Sequence, residues 1–266
     1  MYFHPGFVAR NAIAAVELAE AGAYASETIL EGEAGIFAAF KRERIHTPIE
    51  LFAGAHSEIL EVYNKPVPAC NFAQTACQAA VQLPSAGKNV RDIKSISVLL
   101  PEAAIRYPGC DFAGPFERAL QAKMSIQFGV AAALVRGVIE EANYANLSHP
   151  EIRRLAELIV LERDDGFTAA FPARQGAEVR VRLADGTLVV RRIDDVIAAT
   201  EAEIRARFLT AAAEVVGASR ADQIQDLVER CEKIADAATI VALCRTDSSR
   251  EANREQRRHV PGRLTA

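Results

Sequence analysis

The sequence contains no tryptophan, and aromatic residues make up only 6% of its 266 positions. It also has no long apolar run, because the longest one, from Gly129 to Val135, falls far short of the ~20 residues that span a bilayer. The first residues, MYFHPGFVARN, place no basic segment ahead of an apolar core, so they do not resemble a signal peptide. We therefore predict a cytoplasmic protein that makes no use of a membrane.

A large net charge and a regular cysteine pattern are absent as well. The net charge is −4, which gives no basic surface for binding nucleic acid. The five cysteines, Cys70, Cys77, Cys110, Cys231 and Cys244, are scattered and form no C-x-x-C pair. This spacing argues against a disulfide framework and against a structural zinc site, and it favours free, buried thiols.

The residues that are abundant favour helices. Apolar residues make up 50% of the chain, and alanine, the best helix former, dominates them. Apolar positions follow a helical period from Phe7 to Leu18, before Gly22, and helical patterns return at 34–44, 56–63 and 72–83. The opening third of the chain is therefore predicted to be helical.

A second pattern, typical of strands, occupies the middle of the chain. Alternating apolar residues predict strands at 92–100, 157–162, 178–183 and 188–193. The last two are joined through Asp185-Gly186, which is a strong hairpin signal. The middle of the chain is therefore expected to contain a sheet.

Further helices are predicted between and after these strands. The strongly apolar stretch FGVAAALV indicates a buried helix, and capping boxes at Ser148–Glu151 and Thr200–Glu203 indicate two helix starts. Gly217 ends the helix that follows Thr200, and an amphipathic pattern from Ser219 to Val241 predicts one more.

This order of elements predicts an α+β fold. A helical domain formed by residues 1–60 and 199–244 is interrupted by an α+β domain at 61–198, and the polar, arginine-rich stretch 245–266 is expected to be a disordered tail.

No general catalytic motif accompanies this fold. Walker loops, G-x-G-x-x-G, H-E-x-x-H and G-x-S-x-G are all missing, and the five histidines are isolated in sequence. A metal site would therefore require histidines from distant parts of the chain to converge, which no spacing in the sequence indicates. Any catalysis must come from acid–base or electrostatic work by side chains spread along the chain.

Three segments carry a resemblance to a known family. Residues 3–40 contain FHPG and LEGEAGIF, residues 64–80 read NKPVPACNFAQTACQAA, and residues 122–137 read AKMSIQFGVAAALVRG. In this order and spacing they resemble the MmgE/PrpD family. The resemblance extends over roughly Phe3 to Val241.

This resemblance implies a large helical domain, incomplete at its N-terminal side here, with an inserted α+β lid and an active site in the cleft between them. It also implies a homodimer and cofactor-free chemistry on a small di- or tricarboxylate. In that chemistry a base removes a proton alpha to a carboxylate, and dehydration, decarboxylation or epimerisation follows. The substrate and the choice among these reactions stay open.

The departures from the family pattern are specific. The resemblance begins in the middle of the family's helical domain, so the half that carries an active-site aspartate and histidine has no counterpart here. A family lysine falls on Met1, and a tyrosine of some members falls on Phe128. Activity is therefore expected to need a separately encoded N-terminal half or a longer chain.

Two residues are predicted to be catalytic. Lys65, held between prolines, could pair a substrate carboxylate, although a solvated loop lysine is the alternative. His4, in the family's His-Pro-Gly motif, could act as a general acid or bind a carboxylate, or it could instead fix a turn.

Four more residues are predicted to bind substrate. Cys70 and Gln74 follow Lys65 and could line the same cleft, or serve only in packing. Lys123 and Ser125 open the apolar helix, where Ser125 could instead be a helix N-cap and Lys123 a solvated charge.

Two functions from different classes remain. The first is a lyase or isomerase of the MmgE/PrpD type, with a dehydratase favoured. The second is a catalytically inactive remnant of the family, or an association module.

Overall fold

The computed structural model describes residues 4–40, 58–83 and 89–245. The chain divides into two compact units, Met1–Val62 and Tyr63–Ala266. The mixture of helices and sheet agrees with the predicted α+β class. The predicted domain boundaries at residues 60, 198 and 244 stay predictions.

The first unit is helical where it is described. Helix α1 (His4–Glu20) ends just before Gly22, whose φ of +94° is the left-handed conformation expected after a helix. Helix α2 (Ile36–Ala39) and a 3₁₀ turn (Glu58–Glu61) fall within the helical patterns predicted at 34–44 and 56–63. Residues 41–44 and 56–57 of those patterns lie outside the described residues.

The LEGEAGIF segment of the first unit forms a tight turn that requires its glycines. A Cβ on Gly32 would lie 2.5 Å from the carbonyl oxygen of Thr28, and a Cβ on Gly35 would lie 2.7 Å from that of Leu30. The backbone N–H of Ile36 then donates to the carbonyl of Ile29. This part of the family-like segment is therefore fixed by close backbone approach.

The second unit alternates helices and strands. Its helices are α3 (Gln74–Val81), α4 (Glu102–Arg106), α5 (Ala119–Met124), α6 (Ile126–Arg136), α7 (Pro150–Leu158), α8 (Asp165–Ala170), α9 (Glu201–Val216), α10 (Ala218–Glu229) and α11 (Ala238–Leu243). Its strands are β1 (Ile93–Leu100), β2 (Ile159–Arg163), β3 (Ala177–Leu183) and β4 (Leu188–Ile193), and 3₁₀ turns lie at Asn71–Ala73, Val90–Asp92, Glu141–Tyr144 and Cys231–Lys233.

The four strands form one sheet in the order β2-β1-β3-β4. Strand β1 pairs in parallel with β2 and antiparallel with β3, and β3 pairs antiparallel with β4. Both the strands and the Asp185-Gly186 hairpin were predicted from the sequence, and Gly186 adopts the left-handed φ of +88° that such a turn needs. Ile96, Val98 and Leu100 of β1 are buried, as their spacing indicates.

Helices α3 and α6 form the layer that carries the candidate site. Helix α3 contacts β3, β4 and α6. The two helices approach so closely that a Cβ on Gly129 would lie 2.6 Å from Sγ of Cys77. Small residues at this crossing therefore let the polypeptide pack α6 deep in the core, where nine of its eleven residues are buried.

The C-terminal helices are far more exposed. Helix α9 begins with the predicted capping box, in which Thr200 accepts the N–H of Glu203 and Glu203 reaches back to Thr200, and it ends at Gly217. The prediction of a single helix from Ser219 to Val241 is wrong. The chain instead breaks at Arg230, forms a 3₁₀ turn and restarts as α11, and neither the 3₁₀ turn nor α11 has a buried residue.

The helix start predicted at 148–151 is confirmed, but the capping box predicted there is wrong. His149 is the N-cap of α7 and makes no side-chain cap, and Pro150 takes the first helical position, where its missing N–H costs nothing. The Ser148 backbone bonds to Asn146 instead.

Two further features bear on the expectations from sequence. No helix in the described ranges is long and apolar enough to cross a membrane. Of the tail predicted to be disordered, everything from Thr246 onward falls outside the described residues.

Candidate active site

The site begins at the proline-containing loop of residues 64–70. Gln74 supports this loop by hydrogen bonds from its buried side. This side chain is fully buried at the start of α3. Its Oε1 accepts the N–H of Val67 at 3.0 Å, and its Nε2 donates to the carbonyls of Val67, Ala69 and Cys70 at 2.9, 3.1 and 3.2 Å. One glutamine therefore bonds four backbone groups of a loop that has no helix or sheet partners.

Lys65 lies on the open side of this loop. Its side chain is exposed, and its Nζ donates to the carbonyl of Ala69 at 3.3 Å. The loop is anchored at the same place from α9, since Nη1 of Arg207 donates to the carbonyl of Lys65 at 2.7 Å. The ammonium group is thus attached to a fixed backbone while it stays available to an anion.

Cys70 ends the loop and caps the 3₁₀ turn that leads into α3. Its Sγ lies 3.6 Å from Sγ of Cys110. The hydrogen bond from Cys110, the backbone N–H groups of Phe72 and Asn71, and the charge of Lys65 together lower the pKa of Cys70 to about 6, against the opposing effect of burial. The same hydrogen bond, followed by burial, raises the pKa of Cys110.

The junction between α5 and α6 is hydrogen-bonded directly to the end of the loop. The carbonyl of Lys123 accepts the backbone N–H of Cys70 at 2.7 Å, and the N–H of Ile126 donates to the carbonyl of Cys110 at 2.9 Å. Ser125, fully buried, caps α6 by accepting the N–H of Phe128 at 2.9 Å and donates its own hydroxyl to the carbonyl of Phe112 at 2.6 Å. Ser125 is therefore the N-cap of α6, which is the alternative to substrate binding that the sequence indicates.

The side chain of Lys123 turns away toward a neighbouring aromatic residue. Its ammonium forms an ion pair with Glu141 and lies 5.3 Å from the ring centroid of Tyr144. Only 20% of the side chain is exposed, so Lys123 is not a solvated charge. Tyr144 stacks on Phe128, and burial raises the pKa of its phenol.

A polar network adjoins the site on the side of the sheet. The hydroxyl of Tyr63 donates to Oδ1 of Asn71 at 2.5 Å, and Asn71 exchanges two hydrogen bonds with Gln175. The backbone N–H of Gln175 donates to Asp195 at 2.9 Å. Burial and the charge of Asp195 raise the pKa of Tyr63.

Five of the six predicted site residues thus belong to the second unit, where hydrogen bonds link them through one loop and one helix junction. His4 lies in the first unit, exposed at the start of α1. In the described ranges no three histidine, cysteine, aspartate or glutamate side chains converge as a metal site would require.

Sequence reasoning did not single out Cys110 or the Tyr63–Asn71–Gln175 network. No spacing signal joins Cys70 to Cys110, because their proximity depends on two separate loops bonding to the α5–α6 junction. The NKPVPAC motif pointed only to the first half of the pair.

A comparison with known families adds to this geometry. The family model for the MmgE/PrpD C-terminal domain matches residues 67–233. The chain belongs to the MmgE/PrpD family. The MmgE/PrpD match includes Cys70, Gln74, Lys123 and Ser125, begins two residues after Lys65 and does not reach His4.

Curated proteins are similar over a shorter stretch. The 2-methylcitrate dehydratase of Salmonella typhimurium is 32% identical over 130 residues, which cover 45% of this chain and 26% of that protein. The probable 2-methylcitrate dehydratase of Saccharomyces cerevisiae is also 32% identical over 130 residues, 25% of its length. The matched part of this MmgE/PrpD chain thus spans about a quarter of these relatives.

Proposed function

We propose that this chain contributes part of the active site of a carbon–oxygen lyase that acts on a small di- or tricarboxylate, most directly as a dehydratase. The observation that carries the proposal is the alignment with proteins named 2-methylcitrate dehydratase. Isomerisation by removal and return of the same proton is the neighbouring reaction.

The proposed reaction sets clear chemical requirements. A base takes the proton alpha to a carboxylate, the electron pair forms a carbon–carbon double bond, and the beta hydroxyl leaves as water after it accepts a proton. Negative charge builds up on the carboxylate during the first step, so a fixed positive group beside it lowers the barrier. An acid, a base and a cation are therefore needed.

Lys65 is our candidate for the cation. Its ammonium is exposed, while the backbone that carries it is fixed by Gln74 from inside and by Arg207 from α9. A fixed backbone limits the entropy lost when the side chain pairs a substrate carboxylate. His4 is proposed as the general acid, a role supported by the resemblance of its His-Pro-Gly segment to the family.

The remaining four residues are proposed to act at or just behind the substrate. Cys70 shares the loop with Lys65 and is half-buried at its end. The side chains of Gln74 and Ser125 donate to backbone carbonyls, which favours a positioning role over direct substrate contact. Lys123 adds a positive charge behind the loop, partly neutralised by Glu141.

We also propose that other acid–base residues come from a segment equivalent to the rest of the relatives' length, in the same polypeptide or in a second one. A homodimer and a cytoplasmic location belong to the same proposal. The match to only about a quarter of each relative is what supports the need for further residues.

Deuterium exchange tests this proposal directly. 2-Methylcitrate in D₂O is followed by NMR with the purified chain, alone and mixed with the remaining part of the Salmonella typhimurium relative, and the full-length relative serves as the positive control. In the mixture we expect deuterium exchange into 2-methylcitrate, or loss of water from it, at a rate above that measured in buffer alone. Absence of both reactions in every mixture would overturn the proposal.

Variants of Lys65 refine the test. Lys65→Met should lower the exchange rate by about 100-fold, the scale for removal of one electrostatic contact, and Lys65→Arg should recover part of it. Lys94→Met, which removes an exposed lysine from β1, is the matched control and should leave the rate unchanged.

The second candidate function is a non-catalytic association module. The observation that favours it is the exposure of apolar side chains along α1, including Phe7 at 60% and Val8 at 68%. Self-association without any exchange activity in the mixtures would support this function instead.

A further inference from the structure

The two sulfur atoms at the base of the proline loop are placed for chemistry that the carboxylate reaction does not use. Sγ of Cys70 and Sγ of Cys110 are 3.6 Å apart. Both backbones bond to one short stretch of chain, Cys70 to the carbonyl of Lys123 and Cys110 to the N–H of Ile126. The separation is therefore set by the rigid α5–α6 junction and does not depend on a chance meeting of surface loops.

The two thiols differ in exposure and in their hydrogen bonds. Cys70 is half-buried, whereas Cys110 is fully buried. The nearby backbone N–H groups of Asn71 and Phe72 and the positive charge of Lys65 lower the pKa of Cys70 and so favour its thiolate. Cys110 has neither, and when Cys70 is the thiolate only the S–H of Cys110 can donate in the contact between the two sulfurs. Cys70 is thus suited to be the nucleophilic thiol, and the buried Cys110 is placed to be the resolving thiol.

Little movement would join them. A disulfide needs a sulfur–sulfur distance of about 2 Å, so the pair must close by about 1.5 Å. Cys110 ends the turn that begins at Tyr107, and Gly109 just before it adopts a left-handed φ of +84°. A small shift of this short turn, together with rotation of the two cysteine side chains, would supply this displacement.

We propose that Cys70 and Cys110 form a redox-active dithiol that a hydroperoxide converts to a disulfide. The Cys70 thiolate attacks the O–O bond, which forms S–OH on Cys70 and releases water after protonation of the leaving oxygen. The Cys110 sulfur then attacks the sulfenic sulfur, the S–O bond breaks, and the proton of Cys110 leaves with the hydroxide as water. Two thiols and one hydrogen peroxide thus yield one disulfide and two waters.

The other cysteines lack this arrangement. Cys77 is fully buried in α3 and its pKa is raised by burial, while Cys231 and Cys244 are exposed. In a reducing compartment the disulfide would form transiently and be returned to two thiols. The dithiol chemistry involves only the two sulfurs and the hydroperoxide, so it can occur without the carboxylate substrate even though Cys70 is also proposed to lie at or just behind that substrate.

The experiment uses the full chain with Cys231→Ser and Cys244→Ser, which removes intermolecular disulfides. The protein is treated with one equivalent of hydrogen peroxide, free thiols are then blocked in denaturant, and peptides are mapped by mass spectrometry. The expected product is a cross-linked peptide pair that contains Cys70 and Cys110 and is reversed by dithiothreitol. No such cross-link, or one no more abundant than links to Cys77, would overturn the proposal.

Single substitutions separate the two roles. Cys110→Ser keeps a hydroxyl donor to Cys70 but cannot close the disulfide, so a sulfenic acid on Cys70 should be trapped by dimedone. Cys70→Ser should abolish peroxide reaction at Cys110, and Cys77→Ser should leave the cross-link unchanged. Equal reaction of Cys110 in the Cys70→Ser chain would contradict the assigned order.

The pH dependence of alkylation provides a readout that a merely structural pair would not give. Iodoacetamide should modify Cys70 with a midpoint near pH 6. Cys110→Ala removes the donor and should move that midpoint upward by about one unit or more, whereas Cys110→Ser should move it less. Circular dichroism of each variant verifies the fold, and an unchanged midpoint in Cys110→Ala would count against the paired thiols.

Discussion

Helices α6 and α9 contain the same tripeptide, Ala-Ala-Ala, in opposite environments. Ala131–Ala133 of α6 are at most 1% exposed, whereas α9, with Ala211–Ala213, has no buried residue at all. The difference lies in the other residues of each helix, since α6 carries no charge before Arg136, whereas α9 carries four charges in its first seven residues and a fifth at Glu214. Alanine thus sets the helical state in both, and the pattern around it sets burial.

This contrast extends to the two groups of helices. Helices α3 and α6 pack against each other in the core, with α3 also against the sheet, while α9 and α10 pack on each other and leave Val215 and Val228 exposed. An apolar cleft of about 390 Å³ lies between α9 and α10, and its charged residues Arg205, Glu201 and Glu229 pair with one another. Substitutions should therefore cost far more in the first group than in the second.

The largest effect is expected at Gln74. Replacement by Met keeps the volume but leaves the N–H of Val67 buried without a partner and removes a donor from the carbonyls of Val67, Ala69 and Cys70, so the free energy of unfolding should fall by about 2–4 kcal/mol. Because the chain has no tryptophan, unfolding in urea is followed by circular dichroism. Gln223→Met on the exposed face of α10 is the control, and an equal loss there would erase the contrast.

The next effect is expected where α3 crosses α6. Gly129→Ala places a methyl group against Sγ of Cys77, and overpacking should cost about 1–3 kcal/mol despite alanine's better helix propensity. Adding Cys77→Ala removes the clashing sulfur and should restore part of the loss. A double variant as unstable as the sum of the two single variants would show that this contact is not the cause.

A smaller effect is expected at the start of α9. Thr200→Ala removes the capping hydroxyl and should cost about 1 kcal/mol, and Thr200→Ser should retain most of the stability. Thr210→Ala, within the same helix, is the matched control for loss of a threonine. A cost above that of Gly129→Ala would mean that α9 is as tightly coupled to the core as α6.

The smallest effect on folding is expected on the exposed face of α9. Val215 is 66% exposed, so Val215→Ser should change the free energy of unfolding by less than about 0.5 kcal/mol. The same change should weaken self-association, measured by sedimentation velocity at several concentrations. A large loss of stability would place Val215 in a packed interface.

Local signals in the sequence were enough for much of this fold. The β3–β4 hairpin follows from Asp185-Gly186, and the start of α9 follows from Thr200 and Glu203, because each depends on residues a few positions apart. The break at Arg230 could not be predicted in this way. An amphipathic period continues through it, while the structure leaves Cys231–Lys233 and α11 without a buried residue.

The candidate site was predictable only in part. Lys65, Cys70 and Gln74 lie on one motif, so a single stretch of sequence pointed to all three. The function of Gln74 as the support of the loop has no sequence signature, since a buried glutamine and an exposed one read alike. Cys110 depends on tertiary contacts of two distant segments, which no spacing rule contains.

The position of β1 in the sheet affects how the chain can fold while it is being translated. Val98 pairs with Leu161 on one side and with Val179 on the other, so both neighbours of this apolar strand are made long after it. The β3–β4 hairpin, in contrast, can close as soon as it leaves the ribosome. During translation β1 therefore spends the longest time of any strand with two open edges, and it is the segment that a holding chaperone would be expected to protect.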